Sequence, residues 1–296
     1  MDLSLYKLLI MITRRSFLGG LAAASVARAL RVRGASALDT PRVDPRALRE
    51  RLEALSVFGR PPGGVFADGV SRIAYSDADV EGRRYVSGLM KAARLEPRVD
   101  PAGNIFGRRA GTEPALPPIL FGSHIDSVPS GGNFDGDLGS LSALGAIEAI
   151  DAVGVRTRHP LEMVVWAHEE GVAFGRALAC SRIVAGDFKP ADLDEVWNGM
   201  RRADAIRKIG GDPDRILDAR RTKGSIHCYI ELHIEQGGNL EKAAVPIGVV
   251  EGIVAIDKYD VTVTGFANHA GTTPMAERQD ALLAAAQLTI AVREVV

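Results

Sequence analysis

Two short apolar runs, PPILFGSHID at 117–126 and PLEMVVWAHEEG at 160–171, frame a glycine-rich loop and one amphipathic segment. This arrangement constrains the fold more than any other part of the chain. Each run has strand length, is opened by proline and is too short for a buried helix. Between them, LGSLSALGAIEAIDAVG sets Leu138, Leu141, Leu144, Ile147 and Ile150 near one helical stripe, with Gly154 placed to end it. Strand, loop, helix, strand is a βαβ unit, which calls for parallel pairing. Ligands of such sheets bind at the carboxyl ends of the strands. Here one end carries His124 and Asp126, and the other carries Glu169 and Glu170. The expected class is α/β with a mixed, largely parallel sheet.

The loop itself, GSHIDSVPSGGNFDGDLGSL at 122–141, packs one His and three Asp among glycines. Such density marks either a solvated loop or a metal site, and the strand-end position favours the site. A His ligand is commonly oriented by a nearby carboxylate, a role open to Asp126 beside His124. A dinuclear hydrolytic centre also needs a bridging carboxylate, for which Asp135 is available. Of two adjacent acids such as Glu169 and Glu170, one can ligate while the other takes a proton.

The run GSIHCYIELHIEQG alternates from 224 to 237. Ile226, Cys228, Ile230, Leu232 and Ile234 share one face; His227, Tyr229, Glu231, His233 and Glu235 share the other. By itself this describes a half-exposed strand and gives His233 no chemistry.

The flanks add a helix over 43–59 built on Leu48, Leu52 and Leu55. A second helix over 81–95 presents Tyr85, Leu89 and Ala92 on one face, and a short hairpin is expected in EPRVDPAGNIFGRRAG. Residues 189–222 are charged and helical and suggest no chemistry. From about Pro246 the pattern becomes strand, turn, strand and a Gly/Thr/Pro loop. A helix in ERQDALLAAAQLTIAVREVV follows, giving half of an α+β domain.

At the other end, TRRSFLGGLAAASVARAL pairs Arg14–Arg15 with a modest apolar run, and ASA follows at 35–37. This is the pattern of a twin-arginine export signal cleaved after Ala37, with Met11 an alternative start and a periplasmic or exported destination. The run is too short and too weakly apolar for a stable membrane span. A net charge of −1 gives no global pull toward nucleic acid. Cys180 and Cys228 are too few for a disulfide scaffold and are expected as buried free thiols. The expected layout is a signal over 1–37, a catalytic domain over 38–247 and a lid over 248–296.

Taken in order, GSHIDSVPSGGNFDG, EEGVAFG, HIEQG and NHAGTTPM resemble the amidohydrolases of the M20 metallopeptidase superfamily, most of all the hydantoinase/carbamoylase group. The resemblance runs over roughly 45–296. It implies a zinc-peptidase-like catalytic domain with a partial α+β lid and dimerisation domain, and a homodimer formed through that lid. It implies two divalent metals, zinc by default with Mn, Co or Ni equally suited to His and carboxylate ligands. His124 and His233 are implied to hold one metal, Asp135 to bridge and Glu170 to hold the second. Glu169 is implied as general base and Asp126 as the residue that orients His124. His269 is implied to reach a substrate or transition-state oxygen, with Gln236 and Asn268 lining the substrate site. His159, His168 and His227 match no ligand position and are expected to be structural.

The implied reaction is hydrolysis of a C–N bond in an N-carbamoyl amino acid or an allantoate-like ureide. A peptidase or acyl-amino-acid deacylase is the alternative within the same chemistry. The family pattern also carries an Asn and an Arg for the substrate carboxylate and a last metal-binding His, none of which can be assigned here. The chain is therefore expected to be a shortened member, and a non-catalytic remnant is the alternative of a different class.

Overall fold

The computed structural model describes residues 40–254 and 259–295; the expected export signal lies outside them. The described residues fall into two compact units, divided between Gln236 and Gly237.

The first unit opens with α1 (Pro45–Leu55). Proline at the first helical position costs no hydrogen bond, and the Asp44 side chain accepts from the amides of Arg46 and Ala47 at 2.9 and 3.4 Å. α2 (Asp77–Ala92) starts earlier than the apolar pattern predicts, because Ser76 accepts from the Asp79 amide and caps it. Its buried face is also offset from the predicted one. Gly82, Val86 and Met90 face inward with Asp79 and Arg83, while Tyr85 and Leu89 are only partly covered and Ala92 is exposed. Two buried charged residues on the inner face break the apolar period, which is why the stripe was misplaced.

The hairpin of β1 (Arg98–Val99) and β2 (Ile105–Arg109) follows as expected. Next come β3 (Ile119–His124), α3 (Asp137–Ala152) and β4 (Leu161–Trp166). α3 buries Leu141, Leu144 and Ile147, and Gly154 beyond it takes φ 69°. After β4 the chain forms α4 (Ala179–Ala185), a small hairpin of β5 (Val196–Trp197) and β6 (Met200–Arg201), and α5 (Arg202–Lys208). It then reaches β7 (Cys228–Ile230), the last strand of the main sheet.

The main sheet has the order β1-β2-β4-β3-β7. β3 runs parallel to β4 and to β7, while β2 runs antiparallel to β1 and β4. β3, α3 and β4 thus form the predicted βαβ unit, in register from Ile119–Leu161 to His124–Trp166. On one face α1, α2 and α3 pack Leu52, Leu55, Val86, Met90, Leu141 and Leu144 against Ile105, Met163 and Val165. On the other, Phe106, Leu120 and Val164 meet Trp166, Ile226 and Tyr229. This alternation along β4 places Met163 and Val165 in one core and Val164 and Trp166 in the other. Gly122 takes φ 148°, and a Cβ there would run into the Val164 carbonyl of the neighbouring strand, so the β3–β4 approach requires glycine.

β7 is much shorter than the alternation over 224–237 predicts. Only three residues pair with β3, and Ile230 and Leu232, expected to face inward, are exposed. Residues 231–236 leave the strand and form a loop across the end of β3.

In the second unit, α6 (Asn239–Lys242) is a single turn. α7 (Ala281–Val295) is capped by Asp280, which accepts from the amides of Leu282 and Leu283 at 2.9 and 3.1 Å. The two strands expected over 246–264 are absent among the described residues, where the only pairing is the isolated bridge of Phe266 with Gln279. A strand is stable only when its amides and carbonyls are paired. Ile247, Val249, Val250, Ile253 and Val261 are all exposed.

Candidate metal centre

β3 ends at His124, which is buried, and the following turn carries Asp126. The ring accepts or donates at two places. Nδ1 lies 2.9 Å from the Asp126 main-chain carbonyl, so in the neutral ring Nδ1–H donates and Nε2 carries the lone pair. That Nε2 faces Asp135 Oδ1 at 3.7 Å and Glu169 Oε2 at 3.6 Å. Behind the ring, Gly136 takes φ 65°, and a Cβ there would stand 2.5 Å from the imidazole. The Phe-Asp-Gly turn therefore needs glycine to deliver Asp135 while keeping His124 in place.

The loop that leaves β7 brings His233 to the same point. Its Nδ1 lies 2.7 Å from the Ile234 carbonyl and its Nε2 lies 3.2 Å from Asp135 Oδ1. Two imidazoles, each anchored by a main-chain carbonyl, thus direct their second nitrogen at one carboxylate oxygen. Asp135 Oδ1 is buried and has no hydrogen-bond partner, while Gln236 donates to Oδ2.

The second strand end supplies the acids. After β4, His168 adopts φ 51°, and Glu169 and Glu170 follow. Their backbone amides donate to the two oxygens of Asp126, at 3.0 and 3.1 Å. The expectation that the Asp126 carboxylate orients His124 meets a different geometry. The carboxylate is 3.8 Å from Nδ1, and the main-chain carbonyl of the same residue makes the hydrogen bond. The carboxylate instead ties the Glu169–Glu170 turn to the β3 turn.

Electrostatics follow from this crowding. Burial pushes the Glu169 carboxyl up, with His124 opposing. Burial also pushes Glu170 up, to about 7, against the pull of His124 and with help from Asp135 and Glu169. Burial alone depresses His124, but Asp135, Asp126 and Glu169 outweigh it and raise the imidazole to about 10. Asp135 lies below its ordinary range, mainly through His124. One positive group surrounded by converging carboxylates suits a bound cation.

Among the described residues, two groups with ligand atoms within 4.8 Å of one another can hold a metal ion: His124, Asp135 and His233, and His124, Glu169 and Glu170. The donor chemistry fits. Nitrogen and carboxylate oxygen suit zinc and its neighbours, and the unpartnered Asp135 Oδ1 faces both imidazoles.

His269 and Asn268 belong to the second unit. His269 Nδ1 accepts from the amides of Gly271 and Thr272 at 3.1 and 3.2 Å, which leaves Nε2–H as a donor on an exposed ring. Arg278 donates to the Ala270 and Thr273 carbonyls and closes this turn. Asn268 lies with Phe266 and His269 around a shallow hollow.

The remaining histidines are outside both metal groups. His168 is buried between the Ala173 carbonyl and Tyr75, and the rings of His159 and His227 lie 4.1 Å apart. Cys180 is buried and free, and Cys228 is free and half-buried. Sequence reasoning missed Gly136 and the buried pair Arg72–Asp137 beneath the site. Only the Gly-rich character of 122–141 hinted at the first, and nothing in SRIAYSD pointed to the second.

This chain belongs to the peptidase family M20/M25/M40, whose pattern it matches over residues 120–295. Within that class it is similar to N-carbamoyl-L-amino acid amidohydrolase of Geobacillus stearothermophilus, at 40% identity over 83% of this chain and 60% of the relative. It is similar to ureidoglycolate hydrolase of Arabidopsis thaliana at 39% identity, over 85% of this chain and 54% of the relative. Among solved structures, a hydantoinase/carbamoylase family amidase from Burkholderia ambifaria superposes with a TM-score of 0.68 at 33% identity, over 86% of this chain and 61% of that one. The chain spans between 52% and 60% of the length of these curated relatives.

Proposed function

We propose that the protein carrying this chain is a metal-dependent amidohydrolase that cleaves a non-peptide C–N bond in an N-carbamoyl amino acid or a related ureide. The observation that carries this reading is the convergence of two anchored imidazoles and Glu169 on Asp135 and His124, with Glu170 beside them. The named activities of the relatives support the substrate class.

In this reading His124 and His233 would hold one divalent cation, Asp135 would be shared between it and a second, and Glu170 would hold the second. Zinc is the default, and Mn, Co or Ni suit the same donors. When bound, the metals supply Lewis-acid polarisation of the scissile carbonyl and of the attacking water. Glu169 takes the proton of that water and returns it to the leaving nitrogen. Burial raises its carboxyl, which suits a group that must both accept and give back a proton. Asp126 fixes the Glu169 backbone and, through its carbonyl, the tautomer of His124. His269, whose Nδ1 accepts two backbone amides, keeps Nε2–H to donate to a substrate or transition-state oxygen, in this family often in the partner subunit's site, and Asn268 and Gln236 are candidates for contact with the substrate. Homodimerisation through the second unit is supported by the many exposed apolar side chains of α7, among them Leu282, Leu283, Leu288, Ile290 and Val292. Export through a twin-arginine signal is supported by Arg14–Arg15 and the Ala35–Ala37 site.

The test is product analysis. With zinc, manganese, cobalt or nickel supplied, the protein should release ammonia from N-carbamoyl-L-amino acids or allantoate. Release of a free amine from acyl-amino acids or dipeptides, without ammonia from ureides, would establish the peptidase or deacylase alternative instead.

A further inference from the structure

Beneath the candidate ligands lies one buried cation. The Arg72 side chain is 1% exposed and its partner Asp137 is 2% exposed, with Nη2 to Oδ2 at 2.5 Å. Three further guanidinium hydrogens go to backbone carbonyls. Nε donates to Ile125 at 2.6 Å, and Nη1 donates to Leu55 and Phe58 at 3.0 and 2.8 Å. The main chain of Arg72 is held as well, because its amide donates to Ser127 Oγ and its carbonyl accepts from the Ser127 amide.

Two of these contacts matter for the site. Ile125 stands between His124 and Asp126, so its carbonyl fixes the turn that sets the His124 ring. Asp137 is the first residue of α3, one position beyond Gly136, which packs on that ring, and two beyond Asp135. A single guanidinium therefore spans both turns whose side chains meet at 3.7 Å. Stability alone does not require this arrangement. A buried ion pair replaced by well-packed apolar side chains is often no less stable, whereas removing one partner leaves a costly lone charge. A rigid fork with several donors suits the holding of separate backbone segments better than any apolar residue does.

We propose that Arg72, with Asp137, is a positioning residue that sets the spacing of His124 and Asp135 and thereby the affinity of the site for a divalent metal. This rests on the metal-centre reading above. The experiment titrates Co2+ into the whole chain and into Arg72→Lys, Asp137→Asn and the paired Arg72→Met/Asp137→Leu variant. It records the dissociation constant, the visible absorption of the bound ion and the metal-free melting temperature. The paired variant removes both charges together and keeps the fold from carrying a lone buried ion.

Partners of metal ligands that lie behind them are commonly worth about 10- to 100-fold in affinity, and a loss of that size is expected in each variant, with a changed cobalt spectrum. The paired variant should show it at a melting temperature near that of the parent. Unchanged affinity in any folded variant overturns the proposal, as does an affinity loss that follows the melting temperature in all three. If the parent chain itself binds no Co2+, the metal-centre reading fails and takes this proposal with it, an outcome distinct from the other two.

Discussion

The Asp126 carboxylate binds the backbone of Glu169, accepting its amide at 3.0 Å, and accepts the next amide, that of Glu170, at 3.1 Å. One side chain thus fastens the end of β4 to the turn after β3, and Glu169, the proposed acid/base residue, to His124, the proposed ligand. Neither oxygen of Asp126 is replaceable by a donor. Asp126→Asn must set an NH2 group against one backbone N–H and leave that amide unpaired. A buried unpaired group costs about 1–3 kcal/mol, so urea unfolding should show a loss in that range. Turnover should fall further than stability, because the Glu169 carboxyl moves with its backbone. Unfolding curves and rates on the same preparation check both.

Gly136 is the point where the backbone touches the His124 ring. Gly136→Ala adds a methyl 2.5 Å from the imidazole at φ 65°. Backbone strain of this kind costs about 1–3 kcal/mol before the ring moves at all. The variant should melt lower and bind metal more weakly. Gly132→Ala, in the same loop with nothing within 4 Å of the added methyl, is the control and should do neither.

The metal-free site holds protons that a cation must displace. His124 is raised to about 10 and Glu170 to about 7. Binding should therefore release close to one proton at pH 8, from His124, and more as pH falls through 7, when Glu170 also carries one. Apparent affinity should weaken toward acid by about tenfold per unit while one proton is displaced. Calorimetry at pH 8 in two buffers of different protonation enthalpy reads the number directly. Identical heats in both buffers would contradict it.

Asp79 gives a stability slope of its own. It is buried on α2, accepts the Tyr75 amide at 2.8 Å, and is raised to about 6 chiefly by burial, with Arg83 opposing. The folded form holds this proton more tightly than the unfolded chain does. Its stabilising contribution is thus complete below the ordinary carboxylate range and is lost as pH rises through about 6. The loss is at most about 1.4 kcal/mol per pH unit within that window. Asp79→Asn still accepts from Tyr75 and should remove this part of the slope. Urea unfolding of both proteins at pH 4.5 and pH 7 gives the difference.

Much of this was legible in the sequence, and the failures have physical causes. The βαβ core was readable because β3 and β4 are short apolar runs with chemistry-bearing residues just past their ends. His124, Asp135, Glu169 and Glu170 announced themselves by residue type at those ends. His233 did not: local alternation made it a polar position on a strand surface. Only its place in the HIEQG motif brought it forward, and the structure shows the strand ending at Ile230 so that a loop carries His233 toward Asp135. Arg72 was invisible, because a lone arginine is ordinarily a solvated one. The inner face of α2 was misplaced because Asp79 and Arg83 sit on it. Among the described residues of 246–264 the expected strands do not form, for a related reason, since strand formation depends on partners that local pattern does not specify.

The most direct test is a side-by-side measurement of bound metal and ammonia release for the parent protein and Glu169→Gln, using an N-carbamoyl-L-amino acid as substrate. The account predicts a metal content equal to the parent's, because Glu169 is the base and not a ligand in the proposed set, together with loss of about 100-fold or more in turnover. A Gln variant that binds metal and still hydrolyses the ureide at the parent's rate would contradict it.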